Sequence, residues 1–224
     1  MLFANYLLAQ SIDYTTKERG GQVIVTGLAN DNVTELVIHD FLPGTTKPIT
    51  EIDKNAFEDQ MNLTSVVIGN NVTKIGKEAF TRCYYLESVT IGNSVNTIEQ
   101  YAFNGCGNLT SILIPNSVTQ IKNAAFNGCE NLTSVVIGEG VTDIGNWAFD
   151  GCTNLDTITF LGQTPPANIN PGAFSNTITS VNVPIGSTGY DNLSNYIPNY
   201  NNCTKNYQIK QGETYTLSSS LVLN

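Results

Sequence analysis

The chain has 224 residues, 41% of them hydrophobic and 13% charged, which supplies material for a packed core and excludes a disordered polyelectrolyte. Ten basic residues against nineteen acidic ones give a net charge of −9, and between Cys83 and Thr204 the only cation is Lys122. Such a surface repels phosphates, which excludes nucleic acid as a partner, and the same sign of charge disfavours anionic membrane surfaces.

Residues 1–12 form an apolar N-terminal segment that reads as a leader or an assembly arm. It lacks the basic start of a signal peptide, and no apolar run in the chain approaches the roughly 20 residues that span a bilayer, so membrane insertion is not expected. Residues 13–45 read as an N-terminal hairpin cap with an edge repeat. Ile12–Thr15 and Gln22–Thr26 flank Lys17-Glu18-Arg19-Gly20-Gly21, a hairpin signature, and Val33-x-x-Leu36-x-Ile38 follows. A loop from His39 to Pro48 then interrupts the first repeat. His39 is the one histidine, beside Asp40, and reads as a surface residue. Nucleophile–His catalysis and histidine metal sites need partners that this stretch does not supply.

Residues 46–183 are periodic. Phenylalanine recurs at Phe57, Phe80, Phe103, Phe126 and Phe149, and cysteine at Cys83, Cys106, Cys129 and Cys152, both with a step of 23. Two residue types in one register define a repeat. Units run 46–68, 69–91, 92–114, 115–137 and 138–160. A looser copy at 161–183 carries Ala173-Phe174 two residues late, after Pro165-Pro166.

Each unit holds the spacing L-x-x-I/V-x-I/F, as in Leu109, Ile112 and Ile114, whose alternating second half predicts a short strand with one buried face. Gly69, Gly92, Pro115 or Gly138 then turns the chain, and a second apolar pair such as Val95/Ile98 follows. The Ala-Phe-x-x-Cys stretch is expected to make one short helical turn with Phe and Cys inward. One such unit cannot bury its own apolar face, so the units must stack into a solenoid. Stacking places the cysteine sulfurs in successive layers, where they pack as small apolar groups, and zinc would want four ligands converging on one point. No metal, no cofactor and no enzyme activity are expected. Gly69–Lys77 has the wrong spacing for a phosphate loop, and the sequons at Asn62, Asn108 and Asn131 belong to the repeated Asn-Leu-Thr.

The pattern N-x-V-T-x-I-G-x-x-A-F-x-G-C-x-N-L-T-S-V-x-I, fullest at Asn71–Ile91 and Glu139–Phe160, resembles the BspA-like (TpLRR) class of leucine-rich repeats. The resemblance covers roughly 46–183 and implies a leucine-rich-repeat solenoid, mainly β with short helical turns on the convex side and capped at both ends. Residues 184–224 read as C-terminal cap and tail. Val183-Pro184-Ile185-Gly186-Ser187 with Tyr190 resembles the segment that closes such solenoids, and a strand or two is expected from Tyr207 to Leu223.

Stacked strands leave two outward columns. One reads Val37, Val67, Thr90, Leu113, Val136, Thr159 and Asn182; the other reads Ser65, Ser88, Ser111, Ser134, Thr157 and Ser180. They form a nearly uncharged, partly apolar sheet surface, and Val67, Thr90, Leu113, Val136, Thr159, Ser65, Ser88, Ser111, Ser134 and Thr157 are the candidate partner-binding residues. The resemblance implies a non-catalytic protein-binding or adhesion role, secreted or at the cell surface, toward a host matrix or cell-surface protein. The alternative is a structural or decorating subunit of a larger assembly, a virion or appendage, with an assembly partner and a virion-associated location.

Overall fold

The computed structural model describes residues 13–198 and 200–209. The segment 1–12, read as leader or arm, and residues 210–224 lie outside the described residues. The L-x-x-I/V-x-I/F segments form a row of front strands: β3 (Glu35–Ile38), β5 (Ser65–Ile68), β7 (Ser88–Thr90), β9 (Ser111–Ile114), β11 (Ser134–Ile137), β13 (Thr157–Phe160), β15 (Ser180–Pro184) and β16 (Thr204–Ile209). The second apolar pairs form a back row that starts with β1 (Tyr14–Arg19), β2 (Gln22–Leu28) and β4 (Ile49–Ile52). It continues through β6 (Lys74–Ile75), β8 (Thr97–Ile98), β10 (Gln120–Ile121), β12 (Asp143–Ile144) and β14 (Asn168–Ile169).

The back row is one sheet ordered β1-β2-β4-β6-β8-β10-β12-β14, parallel except for the antiparallel β1–β2 hairpin. Gly20 and Gly21, at φ of 60° and 81°, turn that hairpin as only residues tolerant of positive φ can. In the front row neighbouring strands pair in parallel within two sheets, β3-β5-β7 and β9-β11-β13-β15-β16, as Ser134 with Ser111 and Ile137 with Ile114. Alternation decides the facing. Ile112, Ile114, Val135 and Ile137 are buried, while Leu113 and Val136 point outward.

The third side holds Ala-Phe-x-x-Cys and is not helical. Thr81 N–H bonds the Glu78 carbonyl at 3.2 Å and Cys83 N–H the Phe80 carbonyl at 3.3 Å, so the stretch is a chain of linked turns. The cause is backbone handedness. Asn55, Glu78, Tyr101, Ala124 and Trp147, one per unit, sit at φ of 54° to 59°. Asp59, Arg82, Gly105, Gly128 and Gly151 form a second left-handed column at φ of 59° to 72°. Two left-handed residues per unit break any right-handed helix, and the Gly before each later Cys is there because it takes that φ without strain.

Inside these turns Phe57, Phe80, Phe103, Phe126, Phe149 and Phe174 stack face to face with ring centroids 5.0 to 5.5 Å apart. Phe174 joins the column despite its two-residue delay, bridging in parallel to Phe149. The rings step by nearly the strand spacing of about 4.8 Å, one ring to each layer. Hydrogen bonds run in opposite senses. Gly76 N–H donates back to the Ile52 carbonyl at 2.9 Å, whereas Phe80 N–H donates forward to the Ala102 carbonyl at 2.7 Å. Their peptide dipoles therefore oppose each other along the axis.

Each repeat cysteine is buried and unpaired by disulfide. Its Sγ donates to the carbonyl of the Phe one layer back: Cys83 to Phe57 at 3.0 Å, Cys106 to Phe80 at 3.2 Å, Cys129 to Phe103 at 3.3 Å and Cys152 to Phe126 at 3.2 Å. Burial pushes the Cys83 thiol up to about 12 and those of Cys106 and Cys129 well above their ordinary value. Cys203 is also buried, its Sγ donating to the Ile178 carbonyl at 3.2 Å.

At the C-terminal end a 3-10 turn, Tyr190–Asn195, swings Tyr190 onto the stack. Its hydroxyl donates to the carbonyls of Gly162 at 2.8 Å and Thr164 at 3.1 Å, and Leu193 and Ile197 are buried behind it.

Candidate functional site

The front sheet brings the two sequence columns into register. Val37 pairs with Val67, Val67 with Thr90, Leu113 with Val136, Val136 with Thr159, and Thr159 with Asn182. The serine column aligns likewise, Ser65 with Ser88 and Ser111 with Ser134, then Thr157 and Ser180. Exposure is graded along it. Val37 and Val67 are 46% and 42% exposed, Ser88 and Thr90 are exposed, and Leu113, Val136, Thr159, Ser65, Ser111, Ser134 and Thr157 are half-buried. Asn182 is buried, its side-chain amide donating to the Thr159 hydroxyl at 3.0 Å.

One interface between units differs from the rest. No strand pairing joins β7 to β9, and the front sheet divides there into β3-β5-β7 and β9-β11-β13-β15-β16. Two departures from the repeat coincide with the break. At the next two interfaces the residue after the strand adds a bond, Gly138 N–H to the Ile114 carbonyl at 3.0 Å and Leu161 N–H to the Ile137 carbonyl at 2.9 Å. The corresponding residue after β9 is Pro115, which has no N–H to give. At the other end of the strands, Asn131 and Asn154 chain their side-chain amides at 3.4 and 3.3 Å back to Asn108, but one unit earlier that position is Tyr85. Core residue Val89 is consequently only half-buried, where its counterparts Val66, Ile112 and Val135 are fully enclosed.

A shallow depression of about 390 Å³ lies over the ends of β3, β5 and β7, bordered by His39, Asp40, Asn70 and Asn93. The polar groups there brace one another. The Asp40 carboxylate accepts the Asn70 N–H, and the Asn70 side chain accepts the Asn93 N–H at 2.9 Å. The Tyr14 hydroxyl meets His39 Nδ1 at 3.0 Å, tying the hairpin to the first front strand. Among the described residues no group of three or more Cys, His, Asp or Glu converges as a metal site would require. No described helix is long and apolar enough to cross a membrane.

Comparison with known proteins agrees with the fold. The model of the BspA type leucine rich repeat region, in six copies, matches residues 50–180 and 131–221. Among solved structures the chain is similar to the Treponema pallidum leucine rich repeat protein TpLRR, with 21% identity and a TM-score of 0.64 over 79% of this chain and 87% of that one. It is similar to a leucine rich cell surface protein from Faecalibacterium prausnitzii, with 29% identity and a TM-score of 0.62 over 79% of this chain and 48% of that one. The pneumococcal vaccine antigen PcpA shows 20% identity and a TM-score of 0.64 over 88% of this chain and 48% of that one. This chain thus spans about half the length of the last two. At 21% and 20% identity the treponemal and pneumococcal likenesses speak for the fold alone. No curated protein matches.

Proposed function

The chain belongs to the BspA type leucine-rich repeat family, and on that premise we propose that it works as a non-catalytic protein-binding or adhesion module at a cell surface. The observation that carries this reading is the front sheet itself. Its outward columns are in register within each of its two sheets, uncharged from Ser65 to Asn182, and apolar at Val37, Val67, Leu113 and Val136. A sheet of this width, about 4.8 Å per strand, matches the footprint of a protein partner better than that of a small molecule. The cell-surface description of the F. prausnitzii protein supports the same location.

The proposed contact residues are Val67, Thr90, Leu113, Val136 and Thr159 with Ser65, Ser88, Ser111, Ser134 and Thr157. The test is binding of the purified chain to a panel of immobilised extracellular-matrix proteins, compared with Val67→Lys/Leu113→Lys. Saturable binding that the double variant weakens by about tenfold or more, with an unchanged circular dichroism spectrum, is the expected result. Binding to none of the panel, or equal binding by the variant, overturns the assignment.

A further inference from the structure

The row of residues leading into the front strands departs from its own repeat at one unit. In the later units it reads Gly107-Asn108, Glu130-Asn131 and Thr153-Asn154. At the same two positions one unit earlier stand Tyr84 and Tyr85, 43% and 56% exposed, and one unit before Tyr84 stands Met61, 46% exposed. Backbone register is kept across this change, since Asn108 N–H donates to the Tyr84 carbonyl at 3.1 Å just as Asn131 N–H donates to that of Gly107 at 3.0 Å. The tyrosines therefore replace residues that were making ladder bonds, and the core gains no buried ring in return.

The same row is acidic. Glu130 stands at the Tyr84 position, and Glu87 and Asp156 stand three residues further along their own units, just before the strands, all three exposed. The nearest cation, Arg82, is committed elsewhere, to Asp59 at 2.6 and 2.7 Å and to Glu58 at 2.7 Å. Lys122 follows β10, in the back row. Among the described residues the row thus combines exposed aromatic rings with carboxylates and carries no free cation.

We propose that this row is the docking site for a basic polypeptide segment. An arginine or lysine of the partner stacks on Tyr84 or Tyr85, since ring faces attract cations within about 6 Å, and Glu87 neutralises its charge. A guanidinium suits the site better than an ammonium because it stacks and bonds a carboxylate at once. Glu130 lies two units further on, roughly 10 Å at about 4.8 Å per strand, which three residues of extended chain cover. The favoured partner accordingly carries basic residues three apart. This site rests on the protein-binding reading above but lies beside the strand columns, not on them.

The probe is a fluorescein-labelled dodecapeptide with arginine at every third position, measured by fluorescence anisotropy against the same peptide with neutral citrulline. The intact chain binds the arginine peptide at least about tenfold more tightly. Tyr84→Ala/Tyr85→Ala removes most of that preference and Glu87→Gln part of it. Asp143→Asn on the back sheet and Val67→Lys/Leu113→Lys on the strand columns keep the preference for arginine and its dependence on the tyrosines. Circular dichroism confirms that each variant is folded. Equal loss in the tyrosine and Asp143 variants would reduce the effect to attraction by net charge and overturn the site. Equal binding of the citrulline peptide, or displacement by a neutral oligosaccharide, would overturn the basic partner.

Discussion

At the scale of single residues, the repeat is set by groups that do two tasks at once. Each repeat cysteine fills a core volume and donates a weak hydrogen bond to a phenylalanine carbonyl one layer back. Cys106→Ala should therefore cost about 1–2 kcal/mol in a denaturant titration, chiefly from the small cavity, since the Phe80 carbonyl keeps its bond from the Cys83 N–H. The buried thiols also couple folding to pH. Cys83 rises from 9.0 to about 12 on folding. Above pH 9 the unfolded chain gives up this proton while the native chain holds it, so its contribution is complete below pH 9 and is lost as pH rises toward 12. Thermal melts between pH 8 and 11 should fall less steeply for Cys83→Ser than for the intact chain; identical slopes would mean the thiol is not the group responsible. Glycines divide by cause. A Cβ on Gly92 would meet the Gly69 carbonyl oxygen at 2.2 Å, whereas one on Gly128 would find only ordinary contacts but sit at φ of 71°. Gly128→Ala should cost about 1–2 kcal/mol for handedness alone, and Gly92→Ala clearly more.

At the scale of the element, much of the architecture was legible because phenylalanine and cysteine mark the same step of 23. Period-two alternation then assigned the inward and outward sides of each front strand, and Leu113 and Val136 face outward as that alternation requires. The short turn expected around Phe and Cys is present as single i→i−3 turns with both side chains buried, and left-handed residues on either side keep it from lengthening into helix. Glu78, Tyr101 and Trp147 carry no compositional sign of positive φ, and only the Gly105, Gly128 and Gly151 column hinted at it. The break between β7 and β9 was missed although the substitutions beside it, Pro115 in place of Gly and Tyr85 in place of Asn, are visible as departures from the repeat. Departures inform only once the ladder they interrupt is known. The backbone amides of Ser111–Ile114 should exchange with deuterium faster than those of Ser134–Ile137, and Pro115→Gly should narrow the gap. Equal protection in the intact chain would mean the ladder is closed in solution.

At the scale of the molecule, stability is a sum of near-identical interfaces, each adding one ring to the phenylalanine column and one strand to each sheet. Surfaces are then free to vary, which is why a front sheet of Val, Thr and Ser can coexist with a bordering row of tyrosines and acids at the local cost of a half-buried Val89. The claim beneath all of this is that the units are interchangeable layers in one register. Removing residues 115–137 joins Ile114 to Gly138 and sets Phe103 directly on Phe149. Small-angle scattering and thermal unfolding of that deletion test the claim most directly. The account predicts a folded chain, cooperative in unfolding and shorter by about 5 Å along its axis, whereas removing 12 residues from the same place abolishes folding. A collapsed or molten product from the 115–137 deletion, or a well-folded one from the half-unit deletion, would contradict it.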